Sequence, residues 1–441
     1  MIEVDLSRAF RRLERADPIR VSGRVTDVIG LVVEGNGPAL PVGGLCSIER
    51  RGASGIEPVE AEVVGFRGKR ILLMPLGEVR GIEPGNRIIG CSARPAAAVG
   101  PGLLGRVIDG LGAPLDDLGP APTDTLVPLH GESINPLERA PIRESLDLGV
   151  RAINGLLTCG RGGRLGIFAG SGVGKSSLLG MIARSTRGDV NVIALVGERG
   201  REVREFVERD LGPEGLKRSV LIVATSDQPP LVRIRAAHLA TAVAESFRAG
   251  GANVVLMMDS LTRVAMAQRE IGLSIGEPPS SRGYTPSVFA LLPKLVERAG
   301  VTKEGSITGL YTVLVDGDDM NEPIADATRG LLDGHVVLSR ALANEGHFPS
   351  IDVLSSLSRL MPEVAPPEQL AAANRVRSWL ATYRDAKDLI DIGAYQAGTN
   401  PRIDHAVAQR DPINGFLQQG LGDDVAMDAS VQALTALAGQ G

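Results

Sequence analysis

RLGIFAGSGVGKSS, residues 164–177, passes from a short apolar run through a glycine-rich turn into a helical segment starting near Lys175. Strand, turn and helix in that order make a phosphate-binding loop. Gly172 and Gly174 let the backbone curl so that successive N–H groups point inward at phosphate oxygens. The helix N-terminus adds its partial positive charge. Lys175 brings a point charge for β- and γ-phosphates, and the Ser176 hydroxyl is a hard oxygen suited to Mg²⁺. The nucleotide-binding residues expected from this turn are Gly170, Ser171, Gly172, Val173, Gly174, Lys175, Ser176 and Ser177. The usual pattern opens on glycine; here another small residue, Ala169, holds that place.

Further apolar runs surround this one. VNVIALV, SVLIVA, NVVLMMD, ITGLYTVLV and HVVLS are short and continuous, and helical patterns such as 176–187 and 231–249 separate them. Strands apolar on both faces that alternate with helices predict a largely parallel sheet covered on both sides. Ligands then belong at the carboxyl ends of the strands. In NVVLMMDSLTR (253–263) the strand ends on Asp259, where a carboxylate holds magnesium directly or through water. In VNVIALVGERGREVREF (190–206) the strand ends at Gly197 and releases Glu198 and Arg199 in tandem. Glu198 is placed to polarise an attacking water and Arg199 to neutralise phosphate charge. Arg201 and Arg204 are better explained as an exposed helix face paired with nearby glutamates. FPSIDVLSSLSR (348–359) predicts a turn and a polar strand end. Its serines have no histidine and acid nearby to build a nucleophilic triad. The five histidines show no metal-ligand spacing.

Outward from this core the text changes. Residues 2–16, IEVDLSRAFRRLERA, carry an apolar helical stripe with Arg8, Arg11, Arg12 and Arg15 on the other side, so a short basic amphipathic helix is expected over 1–18. It either caps the next domain or docks a partner or an anionic membrane surface. From 19 to 95, β-type runs recur about every ten residues between Gly, Pro or Asn turns, the pattern of a small β-barrel. Residues 96–365 form the α/β region around the phosphate loop. From 366 to 441 the chain is helical, with Leu370, Ala373, Val376, Leu380 and Tyr383 on one stripe and the only tryptophan, Trp379, as a core anchor.

The 441 residues carry 47 basic against 52 acidic side chains, a net charge of −5, and only 3% are aromatic. Neither the charge nor the aromatic content suits a nucleic-acid binder. Three scattered cysteines fit neither a disulfide framework nor a zinc site and suit a reducing compartment. No apolar run is long enough to span a bilayer, and the N-terminus lacks the pattern of a signal peptide, so a cytoplasmic location is expected.

AGSGVGKS, VGERGREVREF, VLMMDSLTR and FPSIDVLSSLSR occur together in this order. In that combination the chain resembles the catalytic subunits of rotary ATP synthases and their relatives. IGEPPSSRGYTPSVFALLPKLVERAG (275–300), PIADATRGLLDGHVVLSR (323–340) and AYQAGTNPRID (394–404) are similar to type III protein-export ATPases, the flagellar branch most of all. The resemblance implies a RecA-like P-loop core with a mostly parallel sheet, preceded by a small β-barrel and followed by a helical C-terminal domain. It implies ATP and Mg²⁺ and a homo-hexamer with nucleotide between neighbouring subunits. By position Glu198 matches the catalytic glutamate, Arg199 the adjacent phosphate-contacting arginine, Asp259 the magnesium-associated aspartate and Arg263 an arginine near the γ-phosphate. Arg359 matches an arginine finger reaching into the next subunit's site, and Phe348 an aromatic that stacks on adenine. The N-terminal segment matches a docking site for a dimeric regulator protein and anionic lipid. The implied setting is the cytoplasmic face of the inner membrane, at an export gate supplied by chaperones and their substrates.

The function expected is ATP hydrolysis that energises or regulates flagellar type III export. Export by a virulence-type injectisome is the alternative. A non-catalytic ring subunit is disfavoured by Glu198, which such subunits usually lack. A synthase β-type subunit is disfavoured because no acidic shaft-contacting loop is recognisable in 384–415. An RNA-translocating hexamer is disfavoured by the acidic balance.

Overall fold

The computed structural model describes residues 21–52, 55–92, 94–315, 317 and 319–439. The basic helix expected over residues 2–16 lies outside them. The chain divides into two units: one runs to Pro95 and includes Ser274–Gly276, and the other comprises Ala96–Leu273 and Glu277–Gly441.

In the first unit six strands, Ser22–Ile29, Val32–Gly35, Leu45–Gly52, Gly55–Arg67, Arg70–Pro75 and Arg87–Ser92, close into a barrel. Val33, Ile48, Val63, Leu73 and Ile88 fill its interior, where closure hides the edges that short strands otherwise expose. On the outer face of the barrel Glu34 is buried beneath Arg67 at 2.5 Å and Arg70 at 2.9 Å.

The second unit is built on a nine-stranded sheet. Its order is Ile351–Ser358, Gly334–Leu338, Arg164–Ala169, Ser306–Leu314, Asn253–Asp259, Val190–Val196, Ser219–Ala224 and Val107–Asp109, with Gly300–Val301 pairing off Ser306–Leu314. Neighbours are parallel except where Ile351–Ser358 and Gly300–Val301 attach antiparallel. Val190–Val196 and Ser219–Ala224 are buried along their whole length, as strands covered on both faces must be. The register sets Leu195 level with Asp259 and Ala169 level with Leu314 and Leu338, so the phosphate loop and Asp259 both leave the sheet at its carboxyl edge.

FPSIDVLSSLSR opens on bends at 348–349, and its strand runs longer than the strand end expected. Eight of its residues form the edge strand Ile351–Ser358. The serines look out of place in a strand, but each serves nearby backbone or a turn. Ser356 Oγ accepts from Val337 N–H at 2.9 Å and donates to Asp352 O at 2.6 Å, and Ser358 Oγ donates to Thr158 O at 2.7 Å.

The helices Pro367–Asp391, Pro401–Leu417 and Met427–Ala438 follow. Their apolar stripe does not build a separate core. Ala373, Val376, Phe416 and Leu434 join Leu156, Leu165 and Ile182 in one cluster. Trp379 packs against that cluster and meets His405 edge-on at 4.7 Å. Among the described residues no helix is long and apolar enough to cross a membrane.

Candidate nucleotide site

The turn after Ala169 is held open by two glycines with left-handed backbones, Gly172 at φ 76° and Gly174 at φ 91°. Gly174 caps the helix Lys175–Ser185. A Cβ on Gly174 would also lie 3.6 Å from the Phe348 ring, so the half-exposed aromatic rests on the loop backbone. The loop is tied down from outside as well. Ser350 Oγ donates to Val173 O at 2.7 Å, and Arg340 donates to Ser171 O at 3.2 Å. The sequence did not single out Ser350 and Arg340. The signal that places Arg340 is register: Leu338 lies beside Ala169, so the next residues reach the start of the loop.

Lys175 is buried and turns toward the carboxyl edge. Its ammonium contacts Asp259 Oδ1 and lies 3.2 Å from Glu198 Oε1. Burial alone would lower its pKa, but the two carboxylates outweigh it and hold the pKa above the ordinary lysine value. Asp259 is almost wholly buried, and its Oδ1 also accepts from Thr312 Oγ at 2.8 Å. Glu198 follows Gly197, whose φ of 74° turns the chain out of its strand. A Cβ on Gly197 would come within 2.8 Å of Arg263, so Arg263 passes close against the backbone that presents Glu198. The Arg263 Nε is buried with no hydrogen-bond partner.

The structure thus brings Lys175, Glu198, Asp259 and Arg263 together, with Phe348 at the loop. Ser176 and Ser177 begin the helix and are half-buried. Arg199 and Arg359 stand apart. The Arg199 side chain is 83% exposed and faces Glu202 at 3.8 Å, while Arg359 is exposed at the end of the edge strand. Arg201 and Arg204 pair with Glu205 and Glu208 along the helix face, as their spacing suggested.

Among the described residues no group of three or more His, Cys, Asp or Glu side chains could hold a metal unaided. The oxygens of Ser176 and Asp259 nonetheless fit Mg²⁺, which keeps few protein ligands and takes the rest from phosphate and water.

Over residues 149–358 the chain matches the ATP synthase alpha/beta family nucleotide-binding domain, over 25–91 that family's beta-barrel domain, and over 365–436 the T3SS EscN ATPase C-terminal domain. It is 54% identical to a flagellum-specific ATP synthase of Bacillus subtilis, covering 97% of both chains. It is 52% identical to one of Pseudomonas aeruginosa, covering 96% of this chain and 94% of that one. The chain belongs to the family of flagellum-specific and type III secretion ATPases. The assembled ATPase EscN of the enteropathogenic Escherichia coli type III secretion system has the same fold, with a TM-score of 0.89 at 44% identity over 94% of this chain and 100% of that one. The turn that Ser350, Arg340 and Phe348 enclose lies within the matched nucleotide-binding domain.

Proposed function

We propose that this chain hydrolyses ATP as one subunit of a homo-hexameric ring, and that the hydrolysis energises or regulates type III protein export for the bacterial flagellum. The observation that carries the reading is the meeting of Lys175 with both Glu198 and Asp259 at the carboxyl edge of the sheet. The turn Gly170–Ser177 cradles the β- and γ-phosphates, and Phe348 carries the adenine. Ser176 and Asp259 are the residues that would hold Mg²⁺, which supplies positive charge at the phosphate oxygens. Glu198 orients a water and takes its proton as the water oxygen bonds to the γ-phosphorus. The bond to the β–γ bridging oxygen breaks, leaving ADP and phosphate. Lys175 and Arg263 hold the developing charge, and Arg199, which faces Glu202 here, would turn in to join them.

Arg359, exposed on this chain, would serve a neighbouring copy rather than its own site, and the assembled state of EscN supports a ring. In this reading the first 18 residues dock a dimeric regulator and anionic lipid. The ring works from the cytoplasm at the inner-membrane export gate, where chaperones deliver substrates. A virulence-type secretion ATPase is the second reading. The 0.89 TM-score to EscN favours it, but at 44% identity it has less support than the flagellum-specific relatives at 54% and 52%.

Specific ATPase activity measured against protein concentration tests the shared site. The wild type should gain activity as it assembles. Arg359→Ala should lose about 10³-fold or more where the wild type is assembled, and approach the wild type at the lowest concentrations. A flat wild-type profile matched by an unimpaired mutant would refute the shared site.

A further inference from the structure

Thr312 lies on Ser306–Leu314, the strand between the phosphate-loop strand and the one that ends on Asp259. The register sets Ile167 on one side of Thr312 and Tyr311 beside Met258 on the other, so Thr312 is level with Asp259. It has no solvent exposure. Its hydroxyl donates to Asp259 Oδ1, the oxygen that Lys175 also contacts. Among the described residues Oδ2 takes no hydrogen bond. A carboxylate this deeply buried cannot afford to lose its donors.

We propose that Thr312 is a positioning residue that keeps Asp259 oriented when Lys175 turns to the nucleotide's phosphates. The inference rests on the reading of Lys175 and Asp259 given above. The three ammonium hydrogens of Lys175 serve Glu198, Asp259 and the incoming phosphate oxygens. Phosphates that draw the ammonium away weaken its hold on Oδ1. Thr312 is fixed to a central strand, and its hydroxyl, 2.8 Å from Oδ1 against 3.4 Å from Met258 O, keeps donating to Oδ1 when Lys175 moves. It therefore holds the carboxylate with Oδ2 left for Mg²⁺ or a water bound to it. Any β-branched residue would fill the strand position, but only one with a hydroxyl can donate here.

The test is binding of a fluorescent ATP analogue to the full-length protein, first in excess chelator and then across a Mg²⁺ titration, with wild type, Thr312→Val and Thr312→Ser. Thr312→Val keeps the shape and removes the donor. It should raise the Mg²⁺ concentration for half-maximal tightening by about tenfold or more, the cost of a lost bond to a charged group. Binding in chelator should stay near wild type, and Thr312→Ser should restore the Mg²⁺ response. An unshifted titration in Thr312→Val overturns the inference. So does an equal loss with and without Mg²⁺, which marks a purely structural role. A wild type that shows no Mg²⁺ effect on binding refutes instead the reading on which the inference rests. Melting temperature without nucleotide identifies a variant that has failed to fold, and Thr312→Ser then decides alone: a normal Mg²⁺ response supports the inference and a shifted one refutes it.

Discussion

Two buried clusters in the second unit each pair a cation with carboxylate, yet they are built differently. Arg298 is 1% exposed. Its guanidinium donates to both Glu245 oxygens at 2.8 and 2.6 Å and to Leu129 O at 3.2 Å, with His238 Nδ1 at 3.4 Å. The fork is saturated by one carboxylate in bidentate geometry and by fixed neighbours. Lys175 is also buried, at 8% exposure, but it is a single ammonium shared between Glu198 and Asp259. Neither acid grips it from two sides. The saturated cluster ties its helix and strand ends together. The shared one can exchange a carboxylate for a phosphate and keep its lysine paired, because the other carboxylate stays.

The sharpest way to break this contrast is to remove one acid from the shared cluster. Glu198→Gln leaves Lys175 paired with Asp259, so the fold should be little affected. The group that takes the proton from water is gone, and turnover should fall about 10²-fold or more. Phosphate release under saturating MgATP, with nucleotide affinity measured in parallel, checks it. Wild-type turnover in this variant would remove Glu198 from the chemistry and erase the distinction between the clusters.

The opposite pattern is expected at the saturated cluster. Arg298→Met strips Glu245 of the guanidinium that it pairs with and should cost about 3 kcal/mol, toward the low end for a broken buried pair because Glu245 retains some contact with water. Urea unfolding reads the loss. ATPase activity per folded molecule should be unchanged. A variant as stable as wild type, or one that loses turnover while folded, would show that the two clusters do not divide the work in this way.

The sequence made the two clusters unequally visible for physical reasons. Lys175, Asp259 and Glu198 each follow a short apolar run, and the ends of such runs are where a parallel sheet collects chemistry. Their positions could be read from local patterns because strand ends repeat one geometry. Arg298 and Glu245 are 53 residues apart and meet only through helix packing that no local spacing encodes. Thr312 was hidden for a related reason. In ITGLYTVLV a threonine is a normal strand former, and only the cross-strand register brings it to Asp259. The helical stripe of 367–391 was equally plain, but its partner was not. An amphipathic face specifies that something covers it, and here the cover is the interior of the neighbouring α/β layer.

The clusters should also respond to opposite ends of the pH scale. The acid end is the smaller and more delicate effect. His238 and His130 meet edge to face at 4.3 Å beside Arg298. Burial lowers both histidines below their ordinary value, and Arg298 and Arg235 lower them further, as does His130 for His238. The folded protein therefore keeps them neutral where the unfolded chain, with a histidine value of about 6.5, takes up protons. Their contribution is present above that value and is lost as pH falls below it. Lys175 works in the other direction. Its raised value contributes below the unfolded lysine value of about 10.4 and is lost only as pH rises past it. Between pH 7.5 and 5 the urea midpoint of the wild type should fall. In His238→Phe, which keeps a ring against His130 and cannot take a proton, it should fall less steeply. If the two slopes are the same, the histidine pair is not what acid attacks in this cluster.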